Sequence, residues 1–268
     1  MNPLVSAELQ ARRRSLAAIG AGCLLAAIAF AGTYSAFGGQ EGVTRAFGIS
    51  GTFAKVIAAL SGSPSADIYT AAGFLGYSFS HPIIEVLTIS VAVSSGVAAI
   101  AADVESGRAE MLYTAPVSRS AILGARLIGW LIAQTAVMAC LVVGSIAGSR
   151  LSPAMHGVSP LVPLRAALQF GALLFFLGCA AFAASARART RGAAMAGAVG
   201  IAAGSYVVNL VALLWGPLRF LRHLNPFGYY NSSAAAHHIN WPDAGLLVSI
   251  GTLLLVLSRH WLENRDLT

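Results

Sequence analysis

Apolar residues are grouped in long runs along this chain, and shorter polar or basic connections separate the runs. A helix needs around 20 apolar residues to cross a bilayer core of about 30 Å. Six runs come near that length or exceed it, and no soluble segment interrupts the series. The pattern therefore predicts an all-α membrane protein in which a single domain, residues 1–268, has six transmembrane helices: 16–37, 81–102, 122–147, 164–184, 192–215 and 244–257.

The composition supports a membrane protein independently of the pattern. Hydrophobic residues make up 57% of the chain and charged residues 10%, whereas about a quarter of a soluble domain is charged. The mean hydropathy is +0.73. Cys23, Cys140 and Cys179 lie inside apolar runs, which is typical of small core residues and not of a disulfide or metal framework. These values argue against an ordinary water-soluble enzyme.

The basic residues predict the orientation. If the N-terminus is cytoplasmic, eleven of the seventeen basic residues fall on the inner side and six fall in longer outer loops. This is the bias of membrane proteins, so both termini are predicted to be cytoplasmic. Arginines at 12–14 could also introduce a cleaved signal peptide, but the apolar run that follows is too long for one, which favours a retained anchor. The net charge of +7 then reflects topology and contact with anionic lipids, without nucleic acid.

Two outer connections are predicted to contain helical segments. Within residues 38–80, four apolar residues follow helical spacing, which predicts a short amphipathic helix at the membrane interface. These four are Phe53, Val56, Ile57 and Leu60. Residues 216–241 mix leucines with arginines and histidines. That mixture predicts helices that dip partly into the outer leaflet, with their backbone buried against protein.

The inner connection between spans two and three concentrates charge. Five charged residues lie in one stretch: Asp103, Glu105, Arg108, Glu110 and Arg119. A phosphate-binding P-loop needs a Gly-Lys pair, and the one lysine, Lys55, follows Ala54. The chain is therefore not expected to hydrolyse ATP by itself, and the charged stretch is predicted to dock a soluble partner. The alternative is a solvated loop held by local ion pairs.

Two other kinds of site have weak support. Gly48-Ile49-Ser50-Gly51 resembles the serine motif of rhomboid proteases. However, its candidate base, His260, is predicted at the opposite membrane face, beyond hydrogen-bond reach. His237 and His238, together with His81, His156 and His223, could bind a metal at the outer face. Adjacent histidines on a helix point about 100° apart, which makes a poor chelate. We therefore predict no catalytic residue and no metal ligand.

Polar residues inside the spans suggest a translocation path. Glu85, Thr88 and Ser95 share one face of span two. An intramembrane carboxylate is a functional candidate because burying it is costly. The alternative is that Glu85, near the outer end of its span, reaches water. The candidate path residues are Glu85, Thr88, Ser95, Gln134 and Asn209.

Span five carries small residues at one-turn intervals, at Ala196, Gly200 and Gly204. Such a face lets another helix approach closely. The sequence leaves open whether that helix belongs to the same chain or to a second copy.

Residues 103–119 carry a family resemblance. They read Asp-Val-Glu-Ser-Gly-Arg-Ala-Glu-Met-Leu-Tyr-Thr-Ala-Pro-Val-Ser-Arg and resemble the cytoplasmic signature of ABC-2-type transporter permeases. That signature has an acidic residue, a glycine, a second glutamate and Pro-Val-Ser-Arg, which correspond to Glu105, Gly107, Glu110 and residues 116–119. Ile122-Leu123-Gly124 follows, as the signature expects. Asp103 stands where glutamate is common, and Arg108 stands where threonine is common.

Three further segments are similar to this family in the same order. Glu8-Leu9 with the arginines at 12–14 resembles its amphipathic N-terminal helix. Leu224-Asn225-Pro226-Phe227, with Tyr229 and Tyr230, is similar to its Pro-Phe segment between spans five and six. Arg265-Asp266-Leu267 resembles its common C-terminal ending.

The resemblance implies the membrane subunit of a bacterial ABC exporter. Such a subunit pairs with a second permease copy or a close paralogue and carries two copies of a separate ATP-binding subunit. ATP and Mg would be bound by that partner, so no cofactor is expected in this chain. The charged stretch would be a cytoplasmic coupling helix, with Asp103, Glu105, Gly107, Glu110, Pro116 and Arg119 as coupling residues. The matching outer residues are Asn225, Pro226 and Phe227.

An apolar path with few fixed charges fits an amphiphilic drug, lipid or peptide better than a small ion. The family implies export by alternating access. Sixteen of the seventeen basic residues are arginine, which is consistent with a high-GC bacterial gene and an inner (plasma) membrane location. Two alternatives stay open: a proton- or ion-coupled secondary transporter with Glu85 as relay, and a membrane anchor that assembles other proteins without transport.

Overall fold

The computed structural model describes residues 3–47, 66–108 and 118–264, and in these ranges it contains helices and no strands. In chain order the α-helices are α1 (Pro3–Ala36), α2 (Gly39–Phe47), α3 (Ala71–Tyr77), α4 (Pro82–Ala98), α5 (Ala101–Glu105), α6 (Arg119–Leu151), α7 (Leu161–Arg187), α8 (Arg191–Leu214), α9 (Ser232–Ala235) and α10 (Trp241–Glu263). Short 3-10 helices lie at Ala66–Tyr69, Ser78–Ser80, Pro153–Met155, Gly216–Leu224 and Pro226–Tyr229.

The prediction of an all-helical, multi-span protein is confirmed. Helices α6, α7, α8 and α10 and the part of α1 from Glu8 onward are long and apolar enough to cross a membrane. Ala71–Ser80 and α4 together form a sixth candidate, bent by 45°. The bend lies at His81, whose extended backbone (ψ 129°) precedes Pro82, because a proline disfavours the helical conformation in the residue before it.

Two span boundaries differ from their predicted positions. Helix α1 begins at Pro3, so the basic residues at 12–14 lie inside a continuous helix that includes the first span. The predicted last span, 244–257, is part of the 23-residue helix α10. Asn240 caps this helix by accepting a hydrogen bond from the Asp243 backbone N–H. Both helices continue into polar residues, and hydropathy does not register that extension.

Helix α7 is the centre of the bundle. Most of its residues are buried, whereas α1, α8 and α10 leave most of theirs on the outside. It packs against α4, α8 and α10. Glycines permit the closest approaches: a Cβ added to Gly178 of α7 would lie 2.1 Å from the Trp130 indole of α6. A Cβ added to Gly96 of α4 would lie 2.6 Å from the Ala181 Cβ of α7.

Helices α1 and α6 form the most extensive helix pair, and two glycines one turn apart set their separation. A Cβ on Gly144 would lie 2.5 Å from the Leu24 carbonyl oxygen, and one on Gly148 would lie 2.8 Å from the Ala31 Cβ. The Gly-xxx-Gly spacing on span three is therefore the small-residue face that the chain uses for its own packing.

The connections divide between two ends of the bundle. One end, called the basal end here, contains the start of α1, α5, the start of α6, the loop after α7 and the end of α10. Side-chain contacts join these segments, including Arg187 over the Trp261 ring at 5.0 Å. The other, distal end contains α2, α3, the α6–α7 connection and residues 215–240. There Arg165 donates a hydrogen bond to the His237 carbonyl at 2.8 Å.

Candidate functional site

A cluster of charged side chains lies at the basal end, where three helices meet. The basal cluster consists of Glu8, Arg12, Asp103, Arg108 and Arg126. Arg126 of α6 binds the Asp103 carboxylate at 2.8 Å and lies 3.5 Å from Glu8 of α1. Both carboxylates are almost completely buried. Arg126 therefore joins α1, α5 and α6, and Arg108 approaches Asp103 at 3.2 Å from the exposed side.

Arg12 connects α1 to α4. Its guanidinium donates hydrogen bonds to the Ser95 and Ser94 hydroxyls at 2.5 and 2.7 Å. Each serine hydroxyl also bonds the Val91 carbonyl one turn earlier. Ser95 is a predicted path residue, and its hydroxyl is hydrogen-bonded to Arg12, which lies 83 positions away in sequence.

Span two is broken a second time at its basal end, between α4 and α5. Ile100 leaves the helical conformation (φ −137°, ψ −53°). Ser185 of α7 satisfies the backbone groups that this break leaves without helical partners. Its hydroxyl donates to the Val97 carbonyl at 2.8 Å. It also accepts from the Ile100 and Ala101 backbone N–H groups at 3.1 and 2.9 Å. Asp103 lies in α5 just after this break and pairs with Arg126.

The predicted coupling residues have different surroundings at the basal end. Asp103 is buried in the basal cluster, whereas Glu105 is exposed and accepts the Arg191 backbone N–H at 2.7 Å. Gly107 has a φ of +71°, a conformation that glycine adopts without strain. Arg119 donates to the Leu262 carbonyl at 2.9 Å. Glu110 and Pro116 lie outside the described residues, as do the predicted helix near Phe53 and the motif at Ser50.

A lateral groove of about 420 Å³ lies between α4 and α8. Its walls are mainly apolar, with Val86, Ile89 and Val93 on one side and Val199, Ala203 and Val207 on the other. Its polar lining comprises Glu85, Ser90, Ser94 and Tyr206. Glu85 is 5% exposed and is in the first turn of α4, where the helix dipole favours a negative charge.

The other predicted path residues are buried but do not line the lateral groove. The Thr88 hydroxyl donates to the Ile84 carbonyl at 2.8 Å. The Gln134 amide of α6 approaches the Thr88 carbonyl at 3.5 Å. Asn209 of α8 is buried. The structure therefore brings Glu85, Thr88 and Gln134 to neighbouring positions around α4 and places the groove beside Glu85.

The distal Pro-Phe segment is anchored by Asn225. Its side-chain amide donates to the Ser205 carbonyl at 2.6 Å and its oxygen accepts the Phe227 backbone N–H at 2.9 Å. Pro226 starts the 3-10 helix that follows, and the buried Phe227 packs edge-on against Tyr206, with ring centroids 5.6 Å apart. Burial raises the pKa of Tyr230 well above its usual range, so this phenol is a neutral packing group.

Replacing Asn225 with alanine is expected to destabilise the protein by about 2 kcal/mol, because the buried Phe227 N–H loses its acceptor and the partly buried Ser205 carbonyl loses a donor. Unfolding in mixed micelles with increasing sodium dodecyl sulfate measures the change. Asn225→Asp, which retains the acceptor for Phe227, should lose less. Asn264→Ala, at an exposed residue, is the control and should stay within about 0.5 kcal/mol of the parent. Equal losses for Asn225→Ala and Asn264→Ala would contradict the anchoring role.

The small-residue face on span five has no neighbour within the described part of the chain. A Cβ on Gly200 or Gly204 would meet no atom within 4 Å, and Ala196 is exposed. The sequence prediction left open which helix approaches this face, and none of the described helices of the same chain does so.

No three or more His, Cys, Asp or Glu side chains in the described ranges are arranged to hold a metal ion. His237 and His238 are exposed at the distal end. His81 packs its ring edge-on against Phe30, with centroids 5.4 Å apart.

Sequence reasoning missed four residues that position this site. By sequence alone, Arg126 is one of several basic residues that set topology, Ser185 has no distinguishing pattern, and Gly144 and Gly148 lie within an apolar span. The available signal for Arg126 was a basic residue four positions into the predicted span three, because such a residue usually has a partner.

In a comparison with protein families, the model of ABC-2 family transporter proteins matches residues 3–260. Comparisons with curated proteins and with solved structures found no match.

Proposed function

The chain belongs to the ABC-2 family of transporter proteins, and from this premise we propose that it is the membrane subunit of an ATP-driven exporter. Permeases of this family normally work with an ABC ATP-binding subunit. In this proposal two such subunits bind the basal end, which faces the cytoplasm of a bacterial cell. The permease pairs with a second copy or a close paralogue, and the cargo is an amphiphilic drug, lipid or peptide-like molecule.

The observation that carries this proposal is the attachment of α5 to the spans. Helix α5 opens the charged stretch proposed to bind the ATPase. Asp103 connects it to α6 and α1 through Arg126, and Glu105 connects it to the first residue of α8 through the Arg191 backbone N–H. A displacement of α5 by a docked partner would therefore act directly on three spans. A solvated loop would need no such buried ion pairs.

The proposed mechanism is a two-state shift. ATP binding closes the two ATPases and moves the two coupling segments, residues 103–119, towards each other. Because the basal cluster joins the coupling segment to α1 and α6, those spans move with it and change the accessible side of the path. The work comes from the difference in the affinity of the ATPase for the two states.

The test is charge reversal at Glu105 and Arg119 of the coupling segment. The chain is purified with the P-loop protein that copurifies with it, and ATP hydrolysis by the complex is compared with that of the ATPase alone. The double variant Glu105→Arg/Arg119→Glu should lower hydrolysis to the rate of the ATPase alone, because the contacts with the partner become repulsive.

Two controls separate docking from stability. Exchanging the exposed ion pair Arg259 and Glu263 (2.8 Å) changes the basal surface without changing its charge and should leave stimulated hydrolysis intact. Glu105→Gln keeps an acceptor for the Arg191 N–H and shows the effect of the charge alone. Full stimulation in the double variant would refute the coupling role. Transport that ignores vanadate and collapses with the proton gradient would favour a secondary transporter.

A further inference from the structure

Glu85 is a buried carboxylate that has no ion pair with any residue in the described ranges. Among the described residues that line the lateral groove, it is the single charged one. The two serines there donate hydrogen bonds to carbonyls of their own helix. His81, one turn earlier, packs its ring against Phe30. Burying a carboxylate without a cation or donors is costly, so a ligand that supplies a positive charge would gain free energy here.

The far end of the groove has the opposite electrostatic character. Arg12 bonds the Ser94 hydroxyl at 2.7 Å, and Ser94 lies nine residues after Glu85, which is about 13 Å along a helix. A cation is thus attracted at one end of the groove and repelled at the other. Between them the walls are apolar, and many of the lining side chains, such as Val86 and Val207, are exposed on the outer surface of the bundle.

We propose that the lateral groove between α4 and α8 binds the cargo and selects a monovalent cationic amphiphile. The positive group lies against Glu85, and the apolar body extends along α4 towards Ser94. This assignment rests on the proposed function insofar as it calls the ligand a cargo. The binding itself requires only the chain described here.

Charge complementarity decides between occupants. An anionic amphiphile with its charged group at Glu85 would add a second negative charge beside that carboxylate. One turned the other way would leave Glu85 without a cation and meet an Arg12 guanidinium that already bonds Ser94 and Ser95. A neutral lipid tail would fill the apolar part and leave the carboxylate unpaired. A volume of about 420 Å³ is within the range of small-molecule sites.

The test uses two hydrophobic ions of nearly equal size and opposite charge, tetraphenylphosphonium and tetraphenylborate. The full chain is placed in neutral phosphatidylcholine nanodiscs without any ATPase, and equilibrium binding is measured with empty nanodiscs subtracted. The phosphonium should bind in a saturable manner and the borate should not. Glu85→Gln should weaken phosphonium binding about tenfold or more, because the ion pair is lost.

A second pair of variants tests the location. Ala203→Phe adds a ring inside the groove and should abolish phosphonium binding. Ile201→Phe, on the same helix but outside the groove lining, should leave it unchanged. Thermal unfolding identifies any variant that fails to fold. Equal binding of both ions, or phosphonium binding that is indifferent to Glu85→Gln and Ala203→Phe, would overturn the proposal. The proposal would also be overturned if the phosphonium did not bind because a second copy of the chain or a lipid filled the groove.

The outcome is independent of the exporter proposal. Binding is measured without ATP or a partner, so a failed coupling experiment leaves it unaffected. Conversely, stimulated ATP hydrolysis with no phosphonium binding would retain the exporter and refute the cargo class.

Discussion

Replacing Arg126 with methionine is expected to destabilise the protein by about 3–5 kcal/mol, because two buried carboxylates lose their shared cation. The Glu8 and Asp103 side chains are 8% and 3% exposed, and the Arg126 side chain itself is 25% exposed. Little water can therefore replace the lost guanidinium. Unfolding in mixed micelles measures the stability, and the same variant should uncouple ATP hydrolysis in the complex.

The matched control is Arg259→Met. Its guanidinium bonds Glu263 at 2.8 Å, but both side chains are exposed, so the loss should be at most about 1 kcal/mol. The triple variant Glu8→Gln/Asp103→Asn/Arg126→Met should recover part of the loss, because it removes the two carboxylate charges along with the cation. If Arg126→Met and Arg259→Met were equally stable, the basal cluster would have no structural role.

The second large effect is expected at the contact between α1 and α6. Gly144→Val and Gly148→Val each place side-chain atoms where the backbone of α1 or its Ala31 Cβ now lies. Overpacking of this kind costs about 1–3 kcal/mol at each site, and occasionally more. The free energy of unfolding of the double variant should therefore fall by up to ~6 kcal/mol. Resistance to detergent unfolding should decrease, and protease cleavage should appear first in α1 and α6.

Gly200→Val/Gly204→Val on α8 is the matched control. It makes the same chemical change at the same one-turn spacing, where the chain offers no neighbour within 4 Å among the described residues. We expect the stability of the isolated chain to stay near that of the parent. If the double variant kept its stability but gave less cross-linking between copies of the chain, this face would be assigned to self-association. Loss of monomer stability as large as that of the α6 pair would contradict the packing described here.

Sequence length and hydropathy were sufficient for the helices, because the length of an apolar run is a local property and a bilayer imposes a minimum on it. The runs predicted at 122–147 and 164–184 lie inside α6 and α7. Charge placement was equally informative, since the few charged residues gather at the ends of the helices. The bend at His81 could have been inferred from Pro82, whereas the break at Ile100 has no comparable sequence signal.

The sequence by itself determined that this is a multi-span helical protein of the ABC-2 family with a charged stretch between spans two and three. Only the tertiary structure decided that Arg126 joins Glu8 to Asp103, that Gly144 and Gly148 rather than Gly200 and Gly204 serve the chain's own packing, and that Glu85 lines a groove. The physical reason is that lipid is as apolar as a helix face. Hydropathy therefore fixes how long each span is, and the shape and pairing of side chains from distant segments fix which faces meet.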